Sequence, residues 1–490
     1  MRQRIVRTAG HSVIYTAAGV AVSATGLLVL PVFARFLSPA DYGIAATAGI
    51  LTTILAPVMM LGLGEAVTRF YFEHRDDPAA LRQYVGSVTW FVVLWAAGLC
   101  ALLIAAGPLV AQITGIPLLP FVPLAVLAAA GFGLLSVRLA LWRARGQPWA
   151  YVAAREGLFA AGMLTAVVMV AGFGGGAAGR VWGASLASIT GGAMALWLFR
   201  HEMWPVRPSW ALLAPSLRFG APLVPHTAFK EAVEFSDRVF LNHFRTLAET
   251  GLYSVAYAVA GGFQIVLVGV NAAWGPFVYD AITRLGDDAK PVIARITSYY
   301  VAGIVGLALL LALSARELLI VLTAPRFHEA YAVVPIITFA FVLKGLYYMA
   351  AAQVFYMRRT RLVLAATIPA GVANLALNWA WIPSHGMFGA AWATLVAYGV
   401  SFAITAVISH RLYPIRYEWR AALPLLAALP ALAAGYWLDR AELPLGSLLA
   451  GKAAVLAAYA GVMLAVFVRP GEVIEGVRAG RALLHIGGTR

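Results

Sequence analysis

The sequence predicts an all-α, polytopic membrane protein of about 14 transmembrane helices, built as two pseudo-symmetric six-helix lobes around a central cavity plus two C-terminal helices. Three observations predict it. Of 490 residues, 62% are hydrophobic and 12% charged, and the mean hydropathy is +0.82, which no soluble class matches. The apolar runs are about 20 residues long without period-2 alternation, which selects helices over barrel strands. The basic residues sit in short loops and alternate in number from one loop to the next, as they do when one side of a membrane is enriched in positive charge.

Spans are expected near 9–33, 42–66, 83–106, 119–141, 151–173, 178–199, 219–242, 250–278, 292–314, 331–356, 362–382, 387–409, 421–438 and 445–467. The first follows the basic start MRQRIVR; its apolar run is too long for a signal peptide and another span follows it, so it is read as a retained helix. With these spans, one set of loops holds 26 Lys and Arg residues and the other only six: Arg35, Arg180, Arg245, Arg316, Arg326 and Arg440. That asymmetry predicts a multi-pass protein with both termini in the cytoplasm. It also accounts for the net charge of +15 with lipid headgroups as the anionic partner, so no nucleic acid is required. Cys100, the single cysteine, rules out a disulfide within the chain.

Two matches at nearly equal offsets divide the chain. Ala40-Asp41-Tyr42-Gly43-Ile44 returns as Ala248-Glu249-Thr250-Gly251-Leu252, at an offset of 208. Trp182-Gly183-Ala184-Ser185-Leu186-Ala187-Ser188 returns as Phe388-Gly389-Ala390-Ala391-Trp392-Ala393-Thr394, at an offset of 206. The expected domains are therefore 1–210 and 211–415, each of six helices, and 416–490, two extra helices and a tail. An even number of helices per half orients both halves alike, related by an axis along the membrane normal with a cavity between them. The extra pair carries few polar residues and is expected to be lipid-facing bulk or the wall of a groove for a lipid tail.

The seventh span is the unusual one. It carries His226, Lys230, Glu231, Glu234, Asp237 and Arg238, and at about 100° per residue all six fall on one side of the helix. With His226 at zero, Asp237 lies near 20° and Lys230 near 40°, while Arg238 lies on the flank near 120°. Ionisable groups at such depth are costly unless paired or facing a watery cavity, so they are candidate binding residues for substrate or ions. A structural ion-pair lattice is the competing interpretation. Pro222 and Pro225 in the first turns predict a kink.

No loop has room for a catalytic domain, and there is no phosphate-cradling G-x-x-x-x-G-K-[ST] and no H-E-x-x-H. A transporter without cofactor or metal is expected, not an enzyme. Asp76-Asp77 and Asp287-Asp288 are read as solvated loop charge.

The stretch Ala34-Arg35-Phe36-Leu37-Ser38-Pro39-Ala40-Asp41-Tyr42-Gly43 resembles the a-R-x-L-x-p-x-x-y-G segment of polysaccharide exporters, oligosaccharide-lipid flippases of the multidrug/oligosaccharidyl-lipid/polysaccharide superfamily. Ser236-Asp237-Arg238 is similar to that family's S-D-R. Asn374-Leu375-Ala376-Leu377-Asn378, Ile382-Pro383 and Gly389 to Thr394 resemble its N-x-x-L-N, I-P and G-A-A-x-A-T segments, and 325–335 resembles the link into its tenth helix. The resemblance covers helices 1 to 12; many members stop at twelve, so the extra pair also allows similarity to the lipid II flippase branch. It implies a polyprenyl-diphosphate-linked glycan as substrate, moved by alternating access during O-antigen or exopolysaccharide assembly, with H+ or Na+ as candidate coupling ions. Glycosyltransferases and a polysaccharide polymerase are the implied partners. Lys230 and Arg238 are the first candidate cations for the diphosphate, and Arg69 and Arg138 the second. Glu65, four residues before Arg69, offers a local ion pair instead. Lys344 either snorkels or faces the cavity, and Asn374 and Asn378 suit interhelical hydrogen bonding better than substrate contact. A cation-coupled multidrug exporter is the rival within the superfamily; a non-transporting assembly protein or a sugar transferase is the rival outside it.

Overall fold

The computed structural model describes residue 19 and residues 25–204, 207–359, 361–417, 419–441 and 443–467; for residues 223, 225, 226, 228–230, 232 and 419 only the backbone is described. Among the described residues the regular structure is helical throughout: α1 (Thr25–Phe36), α2 (Pro39–Met60), α3 (Leu63–His74), α4 (Pro78–Ala105), α5 (Gly107–Thr114), α6 (Phe121–Ala144), α7 (Pro148–Val167), α8 (Gly176–Met203), α9 (Trp210–Gly220), α10 (Leu223–Phe244), α11 (Leu247–Leu285), α12 (Ala289–Leu313), α13 (Ala315–Leu322), α14 (Val334–Tyr356), α15 (Arg361–Leu412), α16 (Leu423–Arg440) and α17 (Leu445–Phe467). Nine helical stretches within these residues are long and apolar enough to cross a membrane. The expected first span, 9–33, lies largely outside the described residues.

Several boundaries differ from those read off the sequence, each for a local reason. The second span starts at Pro39, where Ser38 accepts from the Asp41 amide and Asp41 accepts from the Ser38 amide, a reciprocal cap. It breaks at Leu61 and Gly62, both at positive φ, and continues as α3 to His74. The kink expected from Pro222 appears as a break between α9 and α10. The spans expected at 362–382 and 387–409 form one helical run that leaves helical geometry at Gly386, φ 52° and ψ −132°. α10 is not among the nine apolar stretches, because its ionisable face lowers its hydropathy.

The chain forms two compact units: unit 1 holds residues 1–265, 319–333 and 371–394, and unit 2 holds 266–318, 334–370 and 395–490. In unit 1, α6 is the central helix, packed against α2, α4 and α8. Small residues make this possible: Gly131 lies against the Ser188 carbonyl and Gly192, and Gly133 against Met59, so backbones approach where side chains would hold them apart. In unit 2, α12 packs against α14, α16 and α17.

The first sequence repeat has a physical meaning within unit 1. Gly43 of α2 and Gly251 of α11 face each other. A Cβ on Gly43 would overlap the Leu247 carbonyl, and one on Gly251 would overlap the Pro39 carbonyl. The acids beside them do matching work at matching distances along the chain. Asp41 Oδ1 accepts from the Ala177 amide at the start of α8 at 3.3 Å, next to Gly176 at φ 54°. Glu249 Oε1 accepts from the Met387 amide at 2.7 Å, next to Gly386 at φ 52°. Each acid caps the resumption of a helix at a glycine in the left-handed region.

Candidate functional site

The site is built on α10, whose backbone is helical throughout although its face is ionisable. Asn242 fixes the far end: its Nδ2 donates to Thr47 Oγ1 of α2 at 2.9 Å and to the Thr114 carbonyl at 2.8 Å. Its middle is fixed by a buried amide cluster. Asn378 Nδ2 donates to Asn374 Oδ1 at 3.1 Å and to Ser236 Oγ at 3.3 Å, and Ser236 Oγ lies 3.2 Å from Asn374 Oδ1. The S-D-R and N-x-x-L-N segments, picked out separately in the sequence, thus meet, and the two asparagines act as the interhelical tie expected of them.

Beside Ser236 lies a sealed ion pair. Arg238 Nη1 donates to Asp237 Oδ1 and Oδ2 at 2.7 and 2.9 Å, and the Arg238 amide donates to Oδ1 at 2.9 Å. Tyr253 of α11 donates its hydroxyl to Asp237 Oδ2 at 2.7 Å. The guanidinium lies 3.9 Å from the ring centre of Tyr257, 4.9 Å from that of Tyr253 and 5.8 Å from that of Phe235. Asp237 is 2% exposed and Arg238 4%. Every acceptor site of the carboxylate is met by a donor or a cation, and the cation's faces are met by π density. The helical wheel set Arg238 on the flank of the face that holds Asp237 and gave no sign of this pair. Side chains at i and i+1 ordinarily diverge by about 100°; the length of the arginine lets it fold back over its neighbour.

Of the other sequence-predicted residues, four share α10 and three lie on other helices. Glu231 and Glu234 are half-buried on α10. His226 and Lys230 lie on the same helix, with side chains outside the described residues. Arg69 pairs with Glu73 at 3.4 Å and stacks over Phe70, 5.5 Å away. Glu65, its expected partner, pairs with Arg143 at 3.4 Å instead. Both partners of Arg69 were one turn away on the wheel; tertiary packing of α3 on α6 takes Glu65 to the arginine of the neighbouring helix. Arg138, 9% exposed, meets Glu202 at 3.5 Å and lies over Phe199 and Trp142, at 4.9 and 5.2 Å. Lys344, half-buried in unit 2, lies 5.2 Å from the ring of Tyr398 and 5.8 Å from that of Phe341.

Sequence reasoning missed Tyr253 and Tyr257. The signal available was their spacing: i and i+4 on a helix that follows directly after the S-D-R segment, so both rings share a face. It also missed the charge content of the last two helices. Lys452 of α17, 4% exposed, contacts Glu317 of α13 at 2.7 and 2.9 Å and Asp439 of α16 at 2.7 Å, and Arg316 donates to the Asp439 carbonyl at 2.9 Å. The few polar residues of these two helices thus enter a four-residue ionic tie. No group of His, Cys, Asp or Glu suited to a metal ion occurs among the described residues.

An all-helical membrane chain with ionisable groups buried on one span has the fold of a membrane transporter, and the comparisons agree. The chain aligns with a lipid II flippase, MurJ, in an inward closed conformation: TM-score 0.66, 13% identity, 93% of this chain and 100% of that one. It also aligns with an inward-facing multidrug resistance MATE family transporter of the MOP superfamily (TM-score 0.53, 16% identity, 82% and 95% covered) and with MATE in its straight conformation (0.54, 15%, 83% and 96%). At these identities the likeness is one of fold. No curated protein matches the sequence. The family model for polysaccharide biosynthesis proteins matches residues 10–281, more than half of the chain. The chain belongs to that family.

Proposed function

We propose that this protein is a flippase that carries a polyprenyl-diphosphate-linked oligosaccharide from the cytoplasmic to the periplasmic leaflet of a bacterial inner membrane, by alternating access, in O-antigen or exopolysaccharide assembly. The observation that carries the proposal is the coincidence of a polysaccharide biosynthesis family match with a transporter fold. A diphosphate and a row of sugar hydroxyls cannot cross hydrocarbon without a lined polar path, whereas the prenyl chain can remain in lipid throughout. In this proposal residues 1–210 and 211–415 are the two moving halves, 416–490 is an accessory pair of helices, and both termini are cytoplasmic.

The α10 face supplies the path. Arg238 and Lys230 are the cations for the diphosphate; Arg69 and Arg138 attract it at the cytoplasmic side; His226, Glu231, Glu234 and Asp237 are the groups through which H+ or Na+ couples. Arg238 supports this role by its geometry. A pair between adjacent residues of one helix joins no separate segments, so its desolvation cost has little architectural return. A phosphate can replace Asp237 as the partner of the guanidinium with the charge still paired, and Asp237 then becomes free to take a cation. A strain lacking the protein should accumulate lipid-linked oligosaccharide in the cytoplasmic leaflet and lose surface polymer, with resistance to cationic dyes unchanged. Normal surface polymer in that strain, or a change in dye resistance alone, would overturn the proposal.

A further inference from the structure

We infer that residues 325–332 form a releasable latch: Arg326 and Phe327, from the second half of the chain, hold the turn between α1 and α2 in the first half, and the path opens past that turn only when they let go. The whole contact lies within unit 1, which takes in residues 319–333 although α12 and α14, on either side of them in the chain, belong to unit 2. Arg326 Nη2 donates to the Arg35 carbonyl at 2.7 Å, and its Nε donates to the Leu37 carbonyl at 3.0 Å. Phe327, fully buried, sets its ring edge-on to Tyr42 of α2, with 5.9 Å between centres. The receiving surface is assembled without the latch, since the guanidinium of Arg180 on α8 lies 4.0 Å from the ring centre of Tyr42 and 4.8 Å from that of Phe33 on α1.

The last carbonyls of a helix find no donor within it, and the donor is ordinarily supplied close by in the chain, often by a turn at glycine. α1 runs from Arg35 and Phe36 through Leu37 into Ser38 and Pro39, with no glycine at its end. Its carbonyl donors come instead from Arg326, 289 and 291 positions away, with the cation favourably placed at the helix C-terminus. That cap exists only while residues 325–332 are docked, so the end of α1 has two states by construction. The hold is also small: one ring and one arginine at an exposed position, carried on a short 3-10 turn. Arg35, Arg180 and Arg326 all belong to the sparsely basic set of loops, so the latch closes the path on the face opposite the loops that hold most of the bases. The inference rests on alternating access between the two halves and not on the identity of the cargo.

The test follows the reaction of a soluble maleimide with Ala330→Cys, a fully buried position in the latch, in the full chain in detergent. Native Cys100, buried on α4, is the internal reference, and the two labelled peptides differ in mass. With Arg326 in place the introduced thiol should react slowly. Arg326→Gln should speed its reaction about fivefold, the effect of losing exposed hydrogen bonds from a charged donor, and leave Cys100 unchanged. Arg326→Lys, which keeps a cationic donor for the carbonyls, should fall between the two. In cells, Arg326→Gln should lower surface polymer at a normal membrane level of protein, and Arg326→Lys should restore part of it. An unaltered rate in Arg326→Gln, or an equal rise at Cys100, would overturn the latch; faster labelling with unaltered polymer would overturn its part in transport. Labelling needs no cargo, so its outcome is separate from the deletion-strain test of the flippase itself.

Discussion

Two charge groups in this protein each contain a buried cation and are neutral overall, and they differ in what they connect. Asp237 and Arg238 are neighbours in sequence on one helix, 2% and 4% exposed, joined at 2.7 Å. Lys452, 4% exposed, joins α17 to Glu317 on α13 and to Asp439 on α16, with Arg316 completing a neutral set of four. Both groups carry the cost of removing ions from water. The second converts that cost into ionic ties among three helices, whereas the first reaches a second helix only through the tyrosines of α11. The difference teaches that burial does not by itself separate the two groups; what each charge connects does. The Lys452 set holds the last two helices in place, and the Asp237–Arg238 pair is held by its surroundings, in particular the Tyr253 hydroxyl and the Tyr257 ring.

That comparison breaks if the variants respond alike. The largest stability effect is expected for Lys452→Met, which takes the buried cation from two partly exposed carboxylates and leaves Arg316 as the partner of Asp439; it should cost up to about 3–5 kcal/mol in unfolding free energy. Adding Glu317→Gln to it should recover much of the loss in detergent melting experiments. A Lys452→Met protein that melts like the wild type would remove the structural half of the comparison. Asp237→Asn should cost less, about 1–3 kcal/mol, because the aromatic faces still solvate the guanidinium. Its effect on surface polymer should be much larger than its effect on melting, with export reduced to background at normal membrane levels of protein. Export in proportion to the amount of folded protein would instead place the pair with the structural charges. The smallest effect is expected for Tyr253→Phe, which keeps the ring and deletes one hydrogen bond to Asp237, for about 1 kcal/mol. Export should slow without stopping, and measurement of polymer accumulation over time would show it.

The helical membrane fold and most of its spans were legible in the sequence, because hydropathy and loop charge are summed over many residues and tolerate local error. The repeat was legible as pattern and not as mechanism: Gly43 and Gly251 suggested close packing, but nothing in the order of residues says that they pack on each other or that Asp41 and Glu249 cap the starts of two other helix segments. The site was legible as one helix face. Its pairing was not, since a helical wheel records the direction of each Cα–Cβ bond and ignores the reach of a side chain such as Arg238. Lys452 was visible as an isolated base in an apolar run, and its acids as charges at helix ends; their convergence depends on how α13, α16 and α17 pack, which no local pattern encodes.

The central claim is that a polyprenyl-diphosphate-linked glycan crosses the membrane through this protein and that the Asp237–Arg238 pair serves that crossing. It is tested most directly by reconstituting the wild type and the double variant Asp237→Asn with Arg238→Gln into liposomes containing a fluorescent polyprenyl-diphosphate sugar, and measuring the fraction of label reached by a membrane-impermeant quencher over time. The double variant removes both charges, so neither is left buried alone, and its melting temperature should stay near that of the wild type. The wild type should expose label from the inner leaflet and the double variant should not. Label that crosses equally fast with both proteins, or that does not cross with the wild type, would contradict the account.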